Sequence, residues 1–330
     1  MKIHRLGKNG PELPALGLGC MGMSPMRPQP GRRDEDAESV ATIRAALDAG
    51  VRMVNTGDFY GMGHNELLLR EALRGRRDQA FLSVKFGMMI APNGRPLGLD
   101  VGPRAAKNFC SYSLQRLDTD VIDLYQPGRI PTSTPIEDTV GAIADLIAEG
   151  KVRHLGLSEV TGEQLRRAHA VHPVTAVEVE LSLAGRAAEG DLLPVARELG
   201  VGVVAYSVAA QGLLTGAIQG PLPAHDARNW TPRFQGEALA KNLHIVAQFT
   251  AFAASRGWTP TQLAAAWVLA QGEDIVALVG MSSRERIQEN LAAADIELSS
   301  DDLAALDRMF SPGAIVGDRY APQVLEMWRS

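Results

Sequence analysis

The chain has 330 residues, 45% hydrophobic and 22% charged, with 33 basic and 38 acidic side chains and a formal net charge of −5. This is enough apolar material for one barrel-sized domain or two medium ones. The scattered charge excludes a nucleic-acid or membrane footprint, and two distant cysteines, Cys20 and Cys110, with no CxxC or Cys/His cluster exclude structural zinc and a disulfide framework. Met1 to Gly7 lacks an apolar h-region, and no run of ~18 apolar residues occurs, so a reducing, cytoplasmic setting and a small-molecule substrate are expected.

In chain order, two short apolar runs between Lys2 and Leu16 flank Lys8-Asn9-Gly10, which predicts a β-hairpin cap ahead of the main fold. Eight short runs of β-formers follow: Ala15 to Cys20, Arg52 to Gly57, Phe81 to Phe86, Val121 to Gln126, Val152 to Ser158, Ala176 to Leu183, Val201 to Ser207 and Ile275 to Val279. Helical patterns separate them, at Asp36 to Ala49, Asn65 to Leu73, Pro103 to Arg116, Pro135 to Glu149, Gly162 to Val171, Arg186 to Leu199, Glu237 to Arg256, Thr261 to Ala270 and Ser283 to Ala293. Gly50, Gly150 and Gly200 each stand between a helix and the next strand, where a left-handed C′ residue is needed.

Strand and helix in repeated alternation predict an α/β fold with a parallel sheet, closing as a (β/α)8 TIM barrel in a single domain over residues 1–330. An open doubly wound sheet is the rival. It lacks a strand-GxGxxG-helix unit, since no helix follows Gly17 to Gly22 until about Asp36. The longest irregular stretch, Ala209 to Gln235, reads as a lid or binding loop, and the segment from Ser311 onward, with Tyr320, as one that folds over the same rim or stays disordered.

Barrel chemistry gathers at the C-terminal ends of the strands. That rule selects Asn55 to Tyr60, Lys85, Gln126 to Arg129, Ser158-Glu159, Glu178 to Ser182, Tyr206-Ser207 and Gly280 to Ser283. Tyr60 and Lys85 form the leading catalytic pair, because an ammonium beside a phenol favours phenolate and lowers a pKa that starts near ~10. Ser282 and Ser283, ahead of a helix with Arg286, offer hydroxyls, N–H groups and a guanidinium to a phosphate, or else an ordinary N-cap.

These motifs resemble the aldo-keto reductases over essentially the whole chain. The resemblance is carried by Gly17-Leu18-Gly19-Cys20-Met21-Gly22-Met23, Thr56 to Gly61 with Asn65-Glu66, Val84 to Gly87, Asp123 to Gln126, Gly150 to Ser158, Ala205-Tyr206-Ser207 with Leu213 to Gly216, and Arg286 to Asn290. It implies NADP(H) bound across the barrel mouth and reduction of a carbonyl, ketone or aldehyde, to an alcohol by hydride transfer. Tyr60 would be the proton donor and Lys85 its modulator. Tyr206 would stack on the nicotinamide, Ser158 with Glu159 and Glu178 would meet its carboxamide, and Ser207 with Leu213 to Gly216 would hold the pyrophosphate. Ser282, Arg286, Glu289 and Asn290 would face the 2′-phosphate and adenine, with Met21 and Gly280 also beside the cofactor.

Two of the family's four catalytic positions differ. Asn55 stands where the aspartate is expected, which leaves two outcomes open: a neutral Lys85 without an ionic partner, or a charged one oriented by the Asn55 carbonyl. Gly128 stands where a histidine would donate to the substrate, a loss worth roughly 10²- to 10³-fold in rate, and opens space for a bulkier ligand. Glu159 and Glu178, facing one pocket, would raise each other's pKa, unless Glu159 turns outward. The rival functions are a non-redox acid/base enzyme on the same barrel (isomerase, dehydratase or lyase) and a nucleotide-binding regulatory protein with weak turnover.

Overall fold

A computed structural model describes residues 1–25, 31–281 and 283–327. Its strands are β1 (Ile3–Arg5), β2 (Glu12–Pro14), β3 (Leu16–Gly19), β4 (Met53–Gly57), β5 (Phe81–Phe86), β6 (Met88–Ile90), β7 (Pro96–Leu99), β8 (Ile122–Pro127), β9 (Val152–Ser158), β10 (Ala176–Glu180), β11 (Gly202–Tyr206) and β12 (Ile275–Gly280). The helices between and after them are α1 (Arg33–Asp48), α2 (His64–Ala72), α3 (Pro103–Leu117), α4 (Ile136–Ala148), α5 (Gly162–Val171), α6 (Leu192–Leu199), α7 (Gly236–Ser255), α8 (Pro260–Leu269), α9 (Glu285–Ala292), α10 (Ser300–Met309) and α11 (Pro322–Met327).

Strands β3, β4, β5, β8, β9, β10, β11 and β12 are parallel neighbours in that order, and β12 pairs back to β3, closing the predicted barrel. No helix among the described residues is long and apolar enough to cross a membrane. Gly50, Gly150 and Gly200 have φ of 97°, 71° and 70°, as the helix-ending reading requires. Capping boxes at Thr161 with Gln164 and Thr259 with Gln262 start α5 and α8.

Side-chain alternation along each strand divides the core in two. Leu16, Leu18, Val54, Leu82, Val84, Phe86, Tyr125, Leu155 and Leu157 belong to the large cluster packed with the helices. The other phase, Met53, Phe81, Leu124, Ala176, Val204, Val276 and Leu278, fills the barrel end that meets Leu6 and Leu13 of the β1–β2 hairpin, so the hairpin plugs the floor. The contact is close enough to require glycine: a Cβ on Gly202 would lie 2.5 Å from the Gly7 nitrogen. Some elements depart from expectation. A second hairpin, β6–β7, follows the Lys85 strand, and α10 is an additional helix capped by Ser299 and Asp302.

Candidate active site

One step along β4, β5, β8 and β10 from the apolar floor, the inward phase turns polar: Asn55, Ser83, Gln126 and Glu178, with Lys85 one step further up β5. All five are buried, none more than 5% exposed. Lys85 Nζ donates to Glu178 Oε1 at 2.8 Å and to Asn55 Oδ1 at 2.5 Å. Glu178 Oε2 accepts from Asn55 Nδ2 at 2.7 Å and Gln126 Nε2 at 2.6 Å, and both amides also reach Ser83 Oγ. Gly156 makes room for this layer, since a Cβ there would lie 2.9 Å from Gln126 Oε1.

This arrangement corrects two expectations. Glu178 does not share a pocket with Glu159; it turns into the barrel as the ion-pair partner of Lys85. Lys85 therefore has the carboxylate that Asn55 cannot supply. Burial alone would push its pKa down, but Glu178 and the nearby Tyr60 outweigh that and raise it, which favours the ammonium form. Asn55 orients it through Oδ1, the second of the two outcomes left open by the sequence.

Tyr60 sits above, 8% exposed, with Lys85 Nζ 5.3 Å from its ring centroid. The loop that carries it runs through left-handed Gly61, Met62 and Gly63, and a Cβ on Gly61 would press to 3.0 Å of His64 Cβ. His64 is held by Ser24 at 2.9 Å and Asp36 at 3.2 Å, which ties this loop to α1. Asp58 takes no part in the Lys85 network; it is buried, and burial together with Glu66 pushes its carboxyl well up. The expected fall in the Tyr60 pKa is reversed. Desolvation dominates and raises it, Lys85 lowers it and Glu178 adds a further rise, so the phenol keeps its proton near neutrality.

The space beside Gly128 is not vacant. Phe59 packs edge-on to Tyr60, with ring centroids 4.9 Å apart, and a Cβ on Gly128 would already meet its ring at 3.4 Å. A longer side chain at 128 that points the same way would crowd Phe59. Gly128→His is accordingly expected to lower stability by about 1–3 kcal/mol in denaturant titration. Unchanged stability would show that Phe59 swings away freely.

A second charged cluster lies at the ends of β9, β10 and β11. Glu159, left-handed at φ 54°, does not turn outward. It accepts from the Glu180 N–H at 2.9 Å, the Tyr206 hydroxyl at 3.0 Å, Arg129 at 3.0 Å and Arg319, through both terminal nitrogens. Arg319 also reaches Glu180 at 3.0 Å, and Arg233 of the long loop lies 3.5 Å from the other Glu180 oxygen. Burial would raise the Glu159 pKa, but the two arginines overcome it and bring it to about 2. The expected raising of Glu159 is thus overturned. Tyr206 and Tyr320 hydroxyls approach to 3.4 Å, so the C-terminal segment does fold over the barrel mouth.

The remaining predicted positions are spread around the same rim. Ser158 is buried at the end of β9, Ser207 is left-handed after β11, Leu213 is buried in the following turn, and Gly216 is left-handed at φ 73°. Met21 is 61% exposed, and Gly280 opens onto free space at the end of β12. Ser282 lies outside the described residues. Arg284 is paired with Glu38, whereas Arg286 is exposed with no ion-pair partner among the described residues. Asn290 is 2% exposed with Oδ1 unpartnered, and Glu289 is half-buried. Sequence reasoning missed Arg319 and Arg233; an arginine directly before Tyr320 was the available signal for the first.

The family model described as "Aldo/keto reductase family" matches residues 15–310. A relative from Glycine max, "Probable aldo-keto reductase 1", is 38% identical over 319 residues, covering 96% of this chain and 91% of its own. Among solved structures, a glycerol dehydrogenase from Gluconobacter oxydans superposes with a TM-score of 0.85 at 28% identity, covering 97% of this chain and 98% of that one. An aldo/keto reductase from Klebsiella pneumoniae in complex with NADP and acetate has a TM-score of 0.72 at 29% identity, covering 94% and 96%.

Proposed function

Because the chain belongs to the aldo-keto reductase family, a family of NADP(H)-dependent oxidoreductases, we propose that it reduces a small ketone or aldehyde to the alcohol with Tyr60 as proton donor. The observation that carries this reading is a protonated Tyr60 held beside a charged Lys85 at the C-terminal rim of the barrel. A phenol that keeps its proton at neutral pH is suited to giving it to a carbonyl oxygen as negative charge develops there. The Lys85 ammonium then stabilises the phenolate left behind, and the buried layer of Asn55, Gln126 and Glu178 keeps that ammonium in place.

NADP(H) supplies the hydride when bound. The residues present fit it: Asn290 Oδ1 is a buried acceptor awaiting a donor such as an adenine amino group, and Arg286 is a guanidinium left open to a phosphate. Ser207, Leu213 and Gly216 would hold the pyrophosphate, Ser158 the carboxamide, and Tyr206 the nicotinamide face, with Met21, Gly280, Glu289 and Ser282 around them. Arg286→Ala is expected to raise the Kd for NADPH roughly 10- to 100-fold, with little change for NADH, in a fluorescence titration. Equal weakening of both would remove the 2′-phosphate assignment.

Residues 1–330 are taken as one domain, and a cytoplasmic setting suits the two buried free thiols. The activity is tested by following nicotinamide absorbance against a panel of aldehydes and ketones. Turnover of a substrate without NADPH consumption would replace the reductase reading with a non-redox one.

A further inference from the structure

The floor of the site carries one buried cation and one buried anion, contributed by opposite walls of the barrel. Lys85 comes from β5 and Glu178 from β10, and no strand pairing joins the two. Other groups near Lys85 are neutral at physiological pH: Tyr60, Asn55, and Cys20, whose thiol burial pushes up to about 12. Glu178 is aimed by two amides, each of which donates to the oxygen that Lys85 leaves free. Among the described residues, nothing else in the layer bears negative charge.

We propose that Glu178 is the positioning residue that keeps Lys85 an ammonium under Tyr60, the counter-charge standing on β10 while β4 contributes the neutral Asn55. This rests on the reading of Tyr60 as proton donor only for its kinetic consequence, not for the charge state of Lys85. A buried lysine without its carboxylate loses its proton more readily, because desolvation then acts unopposed. Position 55 already touches Lys85 through Oδ1, so a carboxylate there would stand within reach of the same nitrogen. The two positions are thereby exchangeable in charge.

The test compares wild type, Glu178→Gln and the double variant Asn55→Asp/Glu178→Gln by titrating ¹³C-lysine NMR signals in the free protein, with Lys85→Met identifying the resonance. In Glu178→Gln, Lys85 is expected to deprotonate below the ordinary lysine value of ~10.4. The double variant should restore wild-type titration. Where NADPH-dependent reduction is measured, kcat should fall roughly 10- to 100-fold in the single variant, recover in the double and leave the KM for NADPH unchanged. A Lys85 that stays protonated in Glu178→Gln overturns the proposal. So does a folded double variant with neutral Lys85, or one that fails to fold. A wild type that reduces no carbonyl sinks the reductase reading alone, since the titration needs no turnover. If only the single variant fails to fold, the double carries the test by itself.

Discussion

Tyr60→Phe is expected to lower kcat for NADPH-dependent carbonyl reduction by roughly 10²- to 10⁴-fold while leaving NADPH affinity and folding stability close to wild type. The substitution removes one oxygen. The ring's edge-on packing against Phe59 is preserved, because it depends on the ring and not on the hydroxyl, whereas the hydroxyl's hydrogen bond with Lys85 is lost. Removing the hydroxyl also releases it from a buried place, so the cost to stability is small. What disappears is the proton of a phenol that is protonated at neutral pH and backed by the Lys85 ammonium. Position 128, where the family resemblance expects a histidine, is glycine and offers no side-chain donor in its place. Stopped-flow or steady-state measurement of NADPH consumption checks the result. A variant within about threefold of wild type would show that the proton comes from elsewhere, water included.

The barrel was legible because its signals are local. Each strand is a short run of β-formers, several helix-to-strand steps are marked by a residue such as Gly50, Gly150 or Gly200 whose φ is positive, and eight units in series leave closure as the simplest topology. The members of the site were legible too, as residues at strand ends. Their pairing was not. Reading Glu178 as a cofactor contact placed it on the right strand but left its face open, whereas strand alternation puts it in phase with Ala176 of the apolar floor and so inside the barrel with Asn55 and Gln126. That phase was present in Met53-x-Asn55, Phe81-x-Ser83-x-Lys85, Leu124-x-Gln126 and Ala176-x-Glu178, each an apolar residue followed two places on by a polar one. Arg319 could not be paired in the same way. It is 160 residues from Glu159, and no periodicity relates a tail to a strand end. The sign of the Tyr60 shift was out of reach for another reason: it depends on how completely the phenol is desolvated, and burial is set by packing that a motif does not record.

The other large effect concerns acid. Glu159 has its pKa brought from the usual 4.5 to about 2, with burial opposing and Arg319 and Arg129 prevailing. Its carboxylate is 5% exposed, so solvent screening takes little from the interaction. A carboxyl whose pKa is depressed on folding stabilises the protein fully above its unfolded value and loses that contribution as pH falls through the folded one. The window therefore runs from pH 4.5 down to about 2, and the amount at neutral pH is ~3 kcal/mol. Glu159→Gln should be less stable than wild type by about that much at pH 7, and the gap should close as the pH is lowered through the window. The same carboxylate joins β9 to the C-terminal segment through Arg319, and Gly317 packs so closely on Pro232 and Arg233 that a Cβ there would lie 2.7 Å from the Arg233 nitrogen. Loss of the Glu159 charge thus loosens the tail and the long loop together, at the mouth above Tyr60. At pH 7, trypsin should cut after Arg319 faster in Glu159→Gln than in wild type. A stability gap that stays constant from pH 7 to pH 2, or unchanged cleavage, would mean that Glu159 holds the tail by packing and not by charge.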